Sequence, residues 1–229
     1  MVITNSQEKF TTRLSLNNQT INRVGEICHL GVWLTEDLKW DKHITEMCKK
    51  TYSKIKMLTK LKFVGTSIED LLHIYCMHIR SYTEYCSTAF HSSLTQKLTR
   101  KIESIQKTCL RVILGEMYIS YESALEMCNL QSLHDRRETK SLNFALKCVQ
   151  HPTNSRLFPR NPSADTHSLR RREKFHVNFA RKDTYKSSAI PVLQHRLNAH
   201  YSNISVPAGQ GGLDGGEEGR RGGEGERRR

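Results

Sequence analysis

His29-Leu30-Gly31-Val32-Trp33-Leu34-Thr35-Glu36-Asp37-Leu38-Lys39-Trp40-Asp41-Lys42-His43-Ile44 divides this chain. Before it the patterning is that of strands; after it, that of helices. Leu30, Val32 and Leu34 alternate with their neighbours at the period of a half-buried strand. Gly31 falls inside that run, where a glycine marks a bulge or the close approach of a backbone or ligand. Asp41 stands at a helix N-cap position, ahead of Ile44, Met47, Ile55 and Leu58 at helical spacing.

Upstream, Leu14 and Leu16 alternate with polar residues, Asn17-Asn18 supplies a turn and Thr20-Ile21-Asn22 returns. Asparagine tolerates left-handed dihedrals, so residues 13–24 predict a hairpin, with the Leu30 strand as its third member. Three strands with no helix between them bury little and look like the edge of a larger sheet.

Downstream, the spacing predicts a helix over about residues 41–61. Lys42, Lys49, Lys56 and Lys60 lie seven, seven and four apart. They fall within an arc of roughly 40° opposite the apolar stripe, forming a basic rail. Ser67-Ile68-Glu69-Asp70 opens a second helix with a capping-box-like start. Its Leu71, Leu72, Ile74, Tyr75, Ile79 and Tyr82 make it central. Glu84, near its end, is expected to be tied to an Arg or Lys. A third helix runs over about 95–114, with Leu98, Ile102, Ile105, Cys109 and Ile113 inward and Gly115 as its stop. Lys97, Arg100, Lys101, Lys107 and Arg111 fall in an arc of roughly 120° away from that stripe.

A short helix over about 121–128 follows, and then Ser132 caps a longer one ending near His151-Pro152. Arg136, Arg137 and Lys140 sit near its start, where the helix dipole disfavours cations, so a carboxylate or phosphate partner is expected. Pro159 and Pro162 then break the chain. Arg170-Arg171-Arg172-Glu173-Lys174, Arg181-Lys182 and Lys186 form a second basic region. Phe175, Val177 and Phe179 interleave with it and are expected to pack against the helices. Residues 209–229 are Gly-rich, with five basic and five acidic side chains, and read as a disordered tail.

Composition narrows the function. Net charge is +13 and the pI is near 9.5, a field that favours polyanions, nucleic acid first. The seven cysteines form no CxxC pair and mostly adjoin apolar residues, which suits reduced thiols used as small hydrophobes. No signal-peptide core and no run of transmembrane length is present, so an intracellular, soluble protein with no membrane partner is expected. Cys76 and His78, Cys86 and His91, Cys148 and His151, and His195 and His200 do not complete a two-plus-two zinc set. Neither a GxSxG elbow nor a GxxxxGK phosphate loop occurs, and no small-molecule ligand is evident.

Several of these segments, taken in order, resemble a known family. They are Leu30-Gly31-Val32, Leu38-x-Trp40-x-x-His43-Ile44 with its Lys-rich helix, Tyr82-Thr83-Glu84-Tyr85-Cys86-Ser87, Ile105-Gln106-Lys107, Leu130-x-x-Leu133-x-x-Arg136-Arg137-Glu138 and Asn143-Phe144-Ala145-Leu146-Lys147. The series is similar to the reverse transcriptase of LINE-type (non-LTR) retrotransposons of the Jockey/CR1 kind, over roughly residues 1–200. The resemblance implies that Leu30, Gly31 and Val32 are a primer-grip strand that positions the primer end, and that the following helix opens the thumb. It implies an α+β, mostly α chain: a palm remnant over 1–40 and a thumb-like bundle over 41–115, then a downstream helical region over 116–160. A basic segment over 161–208 follows, and the disordered tail over 209–229 falls outside the resemblance. The implied partner is an RNA–DNA or DNA template–primer duplex, with Lys42, Lys49, Lys56, Lys60, Arg100, Lys107 and Arg111 as phosphate contacts.

The family's polymerase activity needs clustered carboxylates holding Mg²⁺. This sequence has no Asp-Asp pair, and the resemblance puts the catalytic motifs upstream of Met1. The expectation is therefore a reverse-transcriptase fragment that grasps duplex without polymerising, with no catalytic residue, metal or cofactor of its own. The alternatives are a helical protein-interaction module burying a partner helix against residues 68–82, or a pseudogene product.

Overall fold

The computed structural model describes residues 14–161, 173–177, 179 and 181–204. Two small antiparallel ladders precede a helical body, which is the α+β, mostly α class expected. Strands β1 (Ser15–Leu16) and β2 (Gln19–Thr20) form a hairpin. Asn17 and Asn18 turn it with φ of 50° and 61°. Two positive φ values match the twist of a tight hairpin.

The third strand does not join this pair. Instead β3 (Glu26–His29) and β4 (Val32–Thr35) form a separate ladder, with Glu26 opposite Thr35 and His29 opposite Val32. Leu30 and Gly31 are therefore the hairpin turn, with φ of 48° and 81°, and not a strand with a bulge. The chain reverses there because glycine takes a positive φ at little cost. Leu30 is left 77% exposed, whereas Val32 is buried.

Helix α1 (Asp41–Phe63) buries His43, Ile44, Met47, Cys48, Thr51, Ile55 and Leu58 along one stripe. Trp40, not Asp41, is its N-cap; Asp41 lies in the first turn, where a carboxylate complements the dipole. At the other end Thr66 N–H bonds Leu61 O at 3.2 Å and Gly65 N–H bonds Lys62 O at 3.1 Å. That pairing, with Gly65 at φ 89°, is a Schellman stop.

Ser67 caps α2 (Ile68–Ile74), accepting from Asp70 N–H at 3.1 Å. The helix continues through a π-helical stretch, Tyr75–Arg80, into α3 (Ser81–Glu84). Leu71, Tyr75 and Ile79 are fully buried in this chain's own core. Tyr75 donates to Gln106 Oε1 at 2.5 Å, and Gln106 Nε2 donates to Gln131 O at 2.9 Å, which satisfies a polar pair deep in that core.

After α4 (Ser87–Phe90) and a 3-10 turn at His91–Ser93 comes α5 (Gln96–Leu114), capped by Thr95 and stopped at Gly115. Helix α5 packs on α1 more extensively than any other element does. Lys101 of α5 meets Thr45 of α1 at 3.0 Å, close to the start of each helix, so the two run in the same direction. Ile44, Leu58, Ile102, Ile105, Cys109 and Ile113 fill the space between them and α2.

A second cluster joins α7 (Leu133–Gln150), which follows α6 (Tyr121–Met127), to α9 (Ala189–Ile204), which follows α8 (Asp183–Lys186). Helix α9 lies within residues 161–208, named from the sequence only as a basic segment, and is an element that the pattern did not disclose. Leu193 and Leu197 recur on one face of α9 and pack against Ala145, Cys148, Phe158 and Phe175. Asn198 clamps Phe175, accepting from its N–H at 2.8 Å and donating to its O at 2.9 Å. Phe175 thus packs as expected, whereas Phe179 is exposed. Arg170 to Arg172 and the tail over 209–229, expected to be disordered, lie outside the described residues.

Candidate nucleic-acid interface

Lys42, Lys49, Lys56 and Lys60 keep their common face on α1, opposite its buried stripe. Two of them are engaged locally. Lys42 lies 3.1 Å from Glu26 and 5.0 Å above the Trp33 ring, and Lys49 lies 2.8 Å from Glu46. The Lys49 hydrogen bond, with Lys42 and Lys50 nearby, holds the Glu46 carboxyl below its ordinary range. Among the described residues, Lys56 and Lys60 make no ion pair and are exposed.

The outer face of α5 is more uniformly cationic. Lys97, Arg100, Lys101, Lys107 and Arg111 share it with Ser104 and Thr108. None of the five cations is in an ion pair among the described residues. Lys107 lies 4.7 Å from the Tyr121 ring and Arg111 5.2 Å from that of Tyr118, contacts that steady both side chains without neutralising them. The one carboxylate of α5, Glu103, is turned toward α6 and α7. It accepts from Tyr121 OH and, at 3.0 Å, from Leu133 N–H. Burial and this carboxylate push the Tyr121 phenol well up.

The two faces adjoin. Thr45, Lys49, Tyr52 and Lys56 fall within an arc of roughly 60° on α1, and Thr45 touches Lys101 of α5. Lys101 thus marks where the cationic face of α5 meets that edge of α1. From Lys97 to Arg111 α5 rises about 21 Å, and from Lys42 to Lys60 α1 rises about 27 Å. Either length spans several phosphates of one strand.

The primer-grip-like residues lie at one end of this body. Tyr85 OH donates to Leu30 O at 2.9 Å and ties the β3–β4 turn to the end of α3. A Cβ built on Gly31 would stand 3.8 Å from the Tyr85 ring, so this glycine serves its dihedral rather than a tight fit. Between the turn, α1 and α3 lies a cavity of about 420 Å³.

Two polar clusters lie elsewhere in the body, one of them expected. Glu84, buried, accepts from Arg136 Nε at 2.5 Å and Nη2 at 3.3 Å, and from Lys140. This carboxylate is the expected partner of Arg136 and Lys140; Arg137, fully buried, does not reach it and donates to His91 instead. Burial works to raise the Glu84 pKa, but the hydrogen bonds from Arg136 and Lys140 outweigh it and hold it below the usual range.

The sequence reading missed the second cluster. His91, His134 and Glu138 bring ligand-type atoms within 4.8 Å of one another. The spacing of His134 and Glu138, four apart on α7, was the available signal; His91 arrives from α4's end. Arg137 Nε donates to His91 Nδ1 at 3.4 Å, which leaves the ring proton on Nε2, directed to Glu138 at 3.1 Å. Arg196 also donates to Glu138, at 2.5 Å. A metal would need a bare Nε2 and would meet two guanidiniums, so this hydrogen-bonding fits an ion-pair network.

No family model, curated protein or solved structure matches this chain. Among the described residues no helix is long and apolar enough to cross a membrane.

Proposed function

We propose that this chain holds the backbone of a template–primer duplex, as the primer-grip and thumb part of a LINE-type reverse transcriptase, and does not itself polymerise. The observation that carries the binding is the α5 face, with five cations and no acidic partner among the described residues. Contacts of this kind position a duplex without reading its sequence. The family rests on the ordered motif series.

Polymerisation needs oxygen-rich ligation of Mg²⁺. The described aspartates are dispersed: Asp70 and Asp135 pair with the capping hydroxyls of Ser67 and Ser132, Asp37 with Thr35 and Asp183 with Lys186, and Asp41 lies in the first turn of α1. The one three-ligand group among the described residues contains two imidazoles. These residues do not fit the family's metal, and no step is assigned to it.

An electrophoretic mobility shift with an RNA–DNA hybrid at low and at physiological salt tests the proposal. Binding at low salt that weakens steeply as salt rises is expected. Absence of a shift at low salt overturns it.

A further inference from the structure

We infer that the cavity between the β3–β4 turn, α1 and α3 binds a single unpaired nucleobase beside the duplex, stacked on Tyr82 and Tyr85, with its phosphate held by Lys50 and Lys54. The inference rests on the nucleic-acid reading above and deepens it. The volume, about 420 Å³, lies in the range of small-ligand clefts, roughly 300–1,000 Å³.

Its walls suit a flat heteroaromatic ring. Trp33, Tyr82 and Tyr85 line it together with the His43 imidazole, and Met47 supplies an adaptable apolar surface. Tyr85 is fixed upright by its bond to Leu30 O, so one stacking surface is pre-organised. Tyr82 is 44% exposed, with Lys54 Nζ 4.3 Å from its ring. A base has a π-face to stack, whichever base it is.

Polar groups share the cavity wall with these rings. Ser81 and Glu46 line the cavity and offer a hydroxyl and a carboxylate. His43 is 4% exposed, and its Nδ1 accepts from Trp33 N–H at 3.4 Å. Its proton therefore sits on Nε2, a buried donor with no acceptor among the described residues.

The charge around the cavity favours an anionic ligand. Lys50 lines it and Lys54 lies over the Tyr82 ring, neither in an ion pair among the described residues, while Lys42, over the Trp33 ring, is paired with Glu26. Glu46 is already engaged by Lys49. An apolar peptide side chain would use the rings and leave Lys50 and Lys54 unanswered; a nucleotide uses both the rings and the cations.

The test uses the full chain carrying Trp40→Phe, so that Trp33 is the sole tryptophan. Adenosine 5′-monophosphate is titrated against Trp33 fluorescence. In parallel, a blunt RNA–DNA hybrid is compared with one bearing a single unpaired 3′ 2-aminopurine. Expected are saturable quenching by the nucleotide, quenching of the 2-aminopurine on binding, and roughly tenfold preference for the unpaired end. In Tyr82→Ala, with an unchanged circular dichroism spectrum, that preference falls to about onefold and the nucleotide titration weakens about tenfold.

Equal affinity for both hybrids, with neither probe quenched, overturns the inference and leaves duplex binding standing. Nucleotide quenching without binding of either hybrid would instead overturn the duplex reading. Quenching that Tyr82→Ala leaves unchanged also overturns the site as assigned.

Discussion

Replacing Glu84 with glutamine isolates a buried charge whose removal has a defined sign and pH signature. Glu84 is 8% exposed and answers two cations, Arg136 and Lys140, whose side chains are 27% and 45% exposed. Breaking a fully buried pair costs about 3–5 kcal/mol, and an exposed pair contributes about 0–1. With a buried acceptor, half-solvated donors and an isosteric amide that keeps one acceptor, Glu84→Gln should cost about 2 kcal/mol. For a chain of this size that lowers the melting temperature by about 4–8 °C.

The pH dependence follows from the same contacts. The folded-state pKa of Glu84 lies below its ordinary 4.5. Its contribution is therefore complete above that value and is lost as pH falls through the folded pKa. Urea unfolding of both proteins at neutral pH and at steps below 4.5 reads the effect. The gap should be widest at neutral pH and close on acidification. A gap within about 0.5 kcal/mol at neutral pH, the scatter of ordinary surface substitutions, would refute the reasoning. So would a gap that widens in acid.

Leu30→Asn should stabilise the β3–β4 hairpin by about 0.5–1 kcal/mol, because Leu30 sits at φ 48° and asparagine tolerates that region better; the urea midpoint reports it. Gly31→Ala, at φ 81°, should cost about 1 kcal/mol by the same measurement. Ellman's reagent at mildly alkaline pH should modify Cys28 and Cys86 quickly, since both are exposed. Cys109, whose thiol burial pushes up to about 12, should react only on unfolding, and rapid native modification of it would contradict the packing. In brief trypsin digestion, cleavage should begin at exposed Arg23, between the two ladders, before any site in residues 41–150.

What the sequence disclosed depended on how local the physics was. Ser67, Thr95 and Ser132 cap their helices as their positions indicate, and Gly65 and Gly115 end theirs. Capping is decided within a few residues, so it can be read without a fold. The Leu30–Gly31 turn could not be read this way. Leucine at positive φ runs against its own preference, and a period-two pattern looks the same whether a strand continues or turns back two residues later.

Helix α9 was hidden for another reason. Pro191 reads as a breaker, yet it stands in the first helical turn, where its missing N–H costs nothing. The apolar spacing of Leu193 and Leu197 was there to be found, but its partner Phe175 lies across an irregular stretch. The rail on α1 was legible as an arc of lysines. Its partial neutralisation by Glu26 was not, because that carboxylate comes from another element. The α5 face kept its full charge because its one acid, Glu103, turns to Tyr121.

The salt dependence of hybrid binding with and without the α5 cations tests the central claim most directly. Fluorescence anisotropy with a labelled RNA–DNA hybrid compares the unaltered chain with Lys97→Gln/Arg100→Gln/Arg111→Gln at about 50 and about 200 mM salt. Five phosphate contacts make affinity fall about 500-fold over that interval, and two make it fall about 12-fold. The account predicts the larger fall for the unaltered chain and the smaller one for the triple variant. Equal slopes for the two proteins would contradict it.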